Sequence, residues 1–400
     1  MEQPLGYIDP HFHNHVCQMK KALYGLKQTP LAWFQQFSSF LIQLGFYCSR
    51  ADTSLFFFHK QSDIIYLLLY VDDIIITGNN SSLLASFTRK LNSEFATKDL
   101  GSLSYFLGLE ATSTTDGLFI SQLKYAWDIL MLAQLLDSKP VHTTMVVSQH
   151  LSSDGPLFSD PTLYRSLVGA LQYWTITRPD IAYAVNSVNQ FLHSPTEDHF
   201  LAVMHIFRYV KGTLHIGLTF HPSVAPGALV AYSDADWAGC PNTHHSTFGY
   251  SIYLGNNLVS WSAKKQPIVS RSSCESEYCA LALAAVELLW LTHLLHDLRI
   301  SLPQQPLLLC DKKSAIFFSS NPISHKQAKH IELDYHFLHE LVVAGKLRTQ
   351  YVPSHLQVSN ILTKSVPRPL FQFFHSKLHV CSNPTLNLRG GVEAFHMCIH

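Results

Sequence analysis

The stretch at residues 64–78, IIYLLLYVDDIIITG, constrains this chain more than any other, because two adjacent carboxylates, Asp72 and Asp73, interrupt an otherwise apolar run. The run is too short and too charged at its centre to cross a bilayer. The Ile, Val, Leu and Tyr on either side favour two strands meeting at a tight turn. One reading makes Asp72 and Asp73 plain turn residues, since Asp is tolerated there. That reading still sets two like charges side by side between apolar strands, with no Lys or Arg between Lys60 and Arg89. Unpaired carboxylates in such a setting are costly unless a cation sits on them. Oxygen-only ligands fit Mg²⁺, which serves phosphoryl chemistry through a two-metal mechanism.

Around this hairpin the chain reads as α+β. Residues 29–46 place Trp33, Phe34, Phe37, Phe40, Leu41 and Leu44 at helical spacing, and residues 81–95 give a second helix. Residues 103–120 form another hairpin, broken by Thr114, Thr115, Asp116 and Gly117, in an order that a palm-like domain would show. Ser, Asp, Pro and Gly make 137–161 a linker, and 163–177, 179–192 and 196–210 read as three packing helices. Four hundred residues, 47% of them hydrophobic, suffice for two or three cores. Eight Cys without a C-x-x-C indicate neither a zinc knuckle nor a disulfide framework, so a reducing compartment is expected. No signal-like N-terminus and no run of about eighteen apolar residues is present, so the expectation is an intracellular, soluble protein with no membrane partner. His11, His13, His15 and Cys17 would share one strand face, but their Pro-flanked setting favours a polar loop over a metal site. Cys398 between His396 and His400 is a weak metal pattern in a polar end.

A separate block starts near residue 228. An apolar strand at 228–233 runs into Asp234, Ala235, Asp236 and Trp237, and strands follow at 249–254 and 258–262. Residues 272–295 form a long helix opened by a capping box, Ser272 with Glu275. Glu275 therefore has a structural job, whereas Glu277 has none. A strand at 306–310 ends in Asp311, then come a helix at 331–344 and a strand at 347–352. Two strands ending in Asp and a helix carrying Glu in its first turns bring Asp234, Glu277 and Asp311 to where strand ends converge. Singly, each has an ordinary reading, as a turn residue or a helix-dipole partner. The formal net charge is zero, which argues against a nucleic-acid partner unless cations are gathered locally. Lys264, Lys265 and Arg271 before the long helix, and Lys312, Lys313, Lys326 and Lys329 after it, form such gatherings.

YVDDIIITG resembles the palm hairpin of reverse transcriptases, in the form used by copia-type LTR retrotransposons. KALYGLKQTP at 21–30, followed by Ala32, Trp33 and Phe34, resembles that family's template- and nucleotide-facing segment. Asp99, Leu100 and Gly101 with YFLGLE at 105–110 resemble the hairpin that grips the primer. TRPDIAYAVN and RYVKGT are similar to the region between polymerase and RNase H, where packing is the default role. YSDADWAG, SSCESEY and LLLCDKKSA resemble the RNase H active site and supply Asp234, Glu277 and Asp311.

Over about residues 1–380 the chain thus resembles the C-terminal part of a copia-type Pol polyprotein. The resemblance implies a truncated reverse-transcriptase palm over 1–135 and a linker with helical connection over 136–227. An RNase H-like α/β domain with a mixed sheet over 228–366 and a disordered tail over 367–400 complete it. It implies RNA-directed DNA polymerase and hybrid ribonuclease chemistry on two-metal Mg²⁺ sites, with Mn²⁺ as a substitute. The ligands would be Asp72, Asp73, Asp234, Glu277 and Asp311. RNA, DNA and RNA–DNA hybrid are the implied partners, with dNTPs if the polymerase is competent. Lys27, Gln28, Lys264, Lys265, Lys326 and Lys329 are the implied nucleic-acid contacts. Departures imply lost activity: the family's third palm aspartate precedes the segment that here begins MEQPLGY, and Asn360 in SNILTK stands where the family has Asp. Leu31, Met204 with His205, and His339 stand where the family prefers Arg or Lys, which helps explain the 24 His. The expectation is a hybrid-cutting RNase H domain beside an inactive polymerase fragment; the alternative is a dead transposon relic that at most binds nucleic acid.

Overall fold

The computed structural model describes residues 2–18, 28–147, 151–223, 227–321 and 332–382, together with the backbone of 394–399. Two compact units divide the chain between Ser102 and Leu103, and the strand at 394–399 belongs to the first.

In the first unit, helix α1 (Thr29–Gln43) carries Pro30 in its opening turn, where a missing N–H costs nothing. Strands β1 (Tyr47–Cys48), β2 (Leu55–Lys60), β3 (Asp63–Tyr70) and β4 (Asp73–Gly78) follow as an antiparallel meander. Helix α2 (Ser81–Glu94) starts at Asn80, whose side chain accepts from the Leu83 N–H, and leads to β5 (Thr97–Ser102). The strand at 394–399 lies between β4 and β5, antiparallel to both. Alternation turns Ile65, Leu67 and Leu69 of β3 and Ile74 and Ile76 of β4 to one face. There they join Phe37, Leu41, Phe56, Leu84, Phe87 and Leu91 in one core. Each such side chain stabilises by roughly 1.5–3 kcal/mol.

The second unit opens with β6 (Tyr105–Phe106), β7 (Leu109–Thr114) and β8 (Gly117–Ser121), then helices α3 (Leu123–Leu132), α4 (Pro161–Trp174), α5 (Ala182–Asn189) and α6 (Glu197–Lys211). Strand β9 (Ile216–Phe220) returns to pair antiparallel with β8. Next come β10 (Leu229–Asp236), β11 (Thr247–Leu254), β12 (Asn257–Lys265), α7 (Ser273–Asp297), β13 (Leu307–Cys310), α8 (Lys313–Ser320), α9 (Glu332–Val343) and β14 (Arg348–Tyr351). They form a five-stranded mixed sheet of order β12-β11-β10-β13-β14, in which β13 and β14 run parallel to β10. A mixed sheet in an α+β chain is what the sequence led us to expect. Helix α10 (Arg368–Lys377) and β15 (Val380–Ser382) close the unit, β15 pairing with β9.

The hairpin at 103–120 falls in the second unit, where β8 pairs with β9 and α3 buries Ala126 and Leu130 in one core with α4. One expectation needs correction. The stretch after 366 is not a disordered tail as far as 382: Phe371, Phe374 and Leu378 recur at helical spacing and are buried in the same core. Helix α7 is long and apolar enough to cross a membrane by length and composition, although 56% of its most apolar window is buried inside the protein. Its apolar residues have a soluble-type partner, since Tyr278, Leu281, Ala284, Ala285 and Leu288 pack with Leu338 and Leu341 of α9.

Within the helical layer, Arg178 and Asp180 are buried and paired at 2.7 Å. Arg178 also donates to the Thr213 carbonyl (3.1 Å) and hydroxyl (2.8 Å), and the Tyr209 hydroxyl donates to Asp180 Oδ2 (2.7 Å). Burial alone would raise the Asp180 carboxyl; the Arg178 guanidinium overrides it and holds the group at about 2. TRPDI and RYVKGT thus meet as a packed, satisfied network.

Candidate metal centre

Strands β10 and β13 are parallel neighbours with Tyr232 opposite Leu309, so Asp234, inside β10, and Asp311, just past the end of β13, lie level with one another. Helix α7 faces them. Only half of the expected capping box is present: the Glu275 N–H donates to Ser272 Oγ (3.3 Å), while Glu275 Oε2 accepts the N–H of Arg271 (2.7 Å) and not that of Ser272. With Glu275 so engaged, Glu277 turns inward and lies buried, accepting the Cys310 thiol at 3.7 Å. Glu277, Cys310 and Asp311 have donor atoms within 4.8 Å of one another, the one such group among the described residues. Asp234 stands beside them and is held from a different side. Its Oδ2 accepts the Thr363 hydroxyl and lies 3.3 Å from Lys364 Nζ, while its buried Oδ1 has no hydrogen-bond partner.

The electrostatics follow from burial and like charge. Burial raises the Asp234 carboxyl, and Lys364 partly offsets it. Glu277 is pushed up to about 9, first by burial and then by the charges of Asp234 and Asp311. The Cys310 thiol is driven well up, mainly by burial, and donates to Glu277. Asp236, two residues past Asp234, is raised to about 7 by burial although it accepts the Thr247 N–H. An orphaned, buried carboxylate oxygen beside a set of oxygen donors fits a hard divalent cation.

The segment 354–364 supports the carboxylates, and most of this support was missed in the sequence. Ser354 Oγ donates to Asp311 Oδ2 (2.6 Å), and Asn360 Nδ2 donates to the Ser354 carbonyl (2.9 Å). Asn360 is buried, and its Oδ1 has no hydrogen-bond partner. Gln357 Nε2 donates to the Ser233 carbonyl (2.9 Å) and Ser359 Oγ to that of Tyr232 (2.8 Å), lacing the segment to β10. The signal available was SNILTK, where Asn360 drew notice but Thr363 and Lys364 did not.

Elsewhere, Asp72 and Asp73 lie at the β3–β4 turn, with Asp72 exposed and Asp73 half-buried opposite Tyr70. Val71, next to them, adopts φ +51°, an uncommon state for a β-branched residue, and its carbonyl accepts Trp33 Nε1–H (3.1 Å). Gln28 is exposed just before α1, and Lys264 is exposed on β12. Lys265 Nζ donates to Cys240 Sγ at 3.3 Å. Lys27, Lys326 and Lys329 lie outside the described residues, as do His400 and the side chains of His396 and Cys398. His11, His13, His15 and Cys17 are exposed and in irregular structure.

Comparison with known proteins adds family to geometry. A family model described as reverse transcriptase (RNA-dependent DNA polymerase) matches residues 1–147. The retrovirus-related Pol polyprotein from transposon RE1 of Arabidopsis thaliana is 45% identical over 96% of this chain, which spans 26% of that polyprotein's length. An uncharacterised mitochondrial protein of the same plant is 50% identical over 56% of this chain and 94% of its own length. A foamy viral protease–reverse transcriptase, solved in complex with RNA/DNA hybrid, is similar to 84% of this chain at 12% identity, covering 39% of that protein with a TM-score of 0.48. Reverse transcriptases with RNase H generally use divalent metals. With close identity along nearly its whole length, and spanning about a quarter of the polyproteins it matches, the chain belongs to the retrovirus-related Pol polyproteins of copia-type transposons.

Proposed function

We propose that the block at 228–366 hydrolyses the RNA strand of an RNA–DNA hybrid, with Asp234, Glu277 and Asp311 as the ligands of Mg²⁺ or Mn²⁺. The observation that carries this reading is the convergence of three acidic groups from β10, α7 and the end of β13, buried enough to drive Glu277 to about 9. Bound cations would activate a water and stabilise the leaving oxygen. The protein's own work is placement. Thr363 and Lys364 hold Asp234, Ser354 holds Asp311, and Cys310 donates to Glu277. The hybrid would be read by A-form shape and 2′-hydroxyls, with Lys264, Lys265, Lys326 and Lys329 on phosphates.

In this reading residues 1–135 are a palm fragment with Asp72 and Asp73 at the β3–β4 turn and Lys27 and Gln28 as template contacts. Residues 136–227 are the linker and helical connection.

A second reading, a dead relic, is favoured by Asn360, a neutral amide where a further carboxylate would sit. Cleavage of a labelled RNA–DNA hybrid by the full chain in Mg²⁺ or Mn²⁺, beside Asp311→Asn and Asn360→Asp, separates the two. Cutting that Asp311→Asn abolishes and Asn360→Asp increases supports the hydrolytic reading. Absence of cutting in both wild type and Asn360→Asp supports the relic.

A further inference from the structure

Beside the carboxylates lies a surface that the hydrolytic reading leaves unused. Trp237 follows Asp234 by three residues and is 53% exposed, with Nε1–H donating to the Ser270 carbonyl at 3.1 Å. In the same loop as Ser270, Ile268 is 38% and Val269 50% exposed. This is a firm base and not a loose loop. The Gln266 N–H donates to the Ser246 carbonyl (2.8 Å), the Ala238 N–H to Ser246 Oγ (3.1 Å), and Gln266 Nε2 to the Ser276 carbonyl in α7 (2.8 Å).

Cations border the apolar residues. Arg271, next to Ser270, is exposed, and Lys312 Nζ donates to Ser273 Oγ (3.0 Å) beside Asp311. Exposed apolar residues with cations beside them, three residues along the chain from an acidic centre, suit a nucleic-acid strand: sugars and base edges cover the apolar residues while phosphates meet the cations.

We propose that Trp237, with Ile268 and Val269, is the ledge on which a strand of the RNA–DNA hybrid lies as its backbone approaches Asp234, Glu277 and Asp311. Trp237 is a substrate-contact residue that sets affinity. The inference rests on the hybrid-binding reading above.

The test is fluorescence anisotropy of a labelled RNA–DNA hybrid with the full 400-residue chain, in EDTA and over a range of salt. Trp237→Ala weakens binding roughly tenfold with the salt slope unchanged, since an apolar contact with sugars and base edges neutralises no phosphate. Trp237→Phe, which keeps an apolar ring, stays close to wild type. Ile268→Ser, which leaves the Ser270 bond intact, loses a few-fold and carries the test if Trp237→Ala fails to fold. Arg271→Ala lowers the salt slope by about one. Undiminished binding by Trp237→Ala overturns the ledge alone. Binding by Trp237→Phe as weak as by Trp237→Ala also overturns it, because the Ser270 hydrogen bond would then be what matters. A wild-type chain that binds no hybrid overturns the ledge and the hydrolytic reading together.

Discussion

Replacing Asp180 with Asn tests how the helical layer of the second unit is held. The change is nearly isosteric, so α4, α5 and α6 keep their packing while one charge disappears. Arg178 is then left almost fully buried without a counter-charge. Breaking one side of a buried pair costs about 3–5 kcal/mol. The depression of Asp180 from 3.8 to about 2 gives a second figure, about 2–3 kcal/mol at neutral pH. The larger range is the better guide for the variant. A protonated Asp keeps both oxygens facing Arg178, whereas Asn turns an amide N–H₂ toward a guanidinium. A loss of about 3 kcal/mol is therefore expected.

The pH dependence follows from the sign of the shift. The folded carboxyl is depressed, so its stabilisation is full above the unfolded value and disappears as pH falls through the folded one. The gap between wild type and variant is widest near neutrality and narrows between about pH 4 and pH 2. Urea unfolding followed by tryptophan emission reads it, since Trp174 is buried in this core and Trp261 donates to the Thr175 carbonyl. The double variant Arg178→Met with Asp180→Leu removes both charges and should recover most of the loss. A deficit below about 1 kcal/mol at neutral pH would refute the reasoning, as would a gap that does not narrow in acid.

Three other perturbations probe the site and the hairpin. Gly249→Ala puts a Cβ 2.7 Å from that of Leu362 and 2.9 Å from Thr363 Cγ2. It should cost about 1–3 kcal/mol by pushing the segment off β11, and an unchanged thermal midpoint would contradict this. Lys364→Met leaves Asp234 without its cation and should cost about 1–2 kcal/mol in EDTA, the low end because the lysine side chain is 44% exposed and screened. Differential scanning fluorimetry with and without Mn²⁺ measures that cost. Val71→Gly relieves a β-branched residue at φ +51° and should stabilise the first unit by about 0.5–1 kcal/mol in urea titrations. A loss there would mean that the Val71 side chain makes contacts that outweigh its strain.

Legibility in the sequence tracked the range of the interactions involved. The hairpin at β3 and β4 was readable because alternation and a two-residue turn are local. The level placement of Asp234 and Asp311 was also within reach, since each follows an apolar run, although β10 continues past Asp234 to Asp236. The sequence did not reveal that Cys310 and not Asp234 shares the tight cluster with Glu277 and Asp311, because β13 ends with Cys310 turned inward toward α7. Nor did it show that Thr363 and Lys364 would occupy Asp234, a contact spanning more than a hundred residues. The polar composition of the stretch after 366 hides its helical spacing. Phe371, Phe374 and Leu378 form a short amphipathic stripe in polar surroundings.

The pairing of β15 with β9 has a kinetic consequence. Val380 sits opposite Leu218, roughly 160 residues earlier, with the whole mixed sheet inserted between them. The mixed sheet can form from segments close in sequence, but the sheet of β6 to β9 gains its edge partner only when a very large loop has closed. During synthesis, β9 is exposed on the nascent chain until residues near 380 emerge, leaving an unpaired edge open to intermolecular pairing. Refolding should accordingly show a slow late phase from the β9 sheet and a faster one from the inserted sheet.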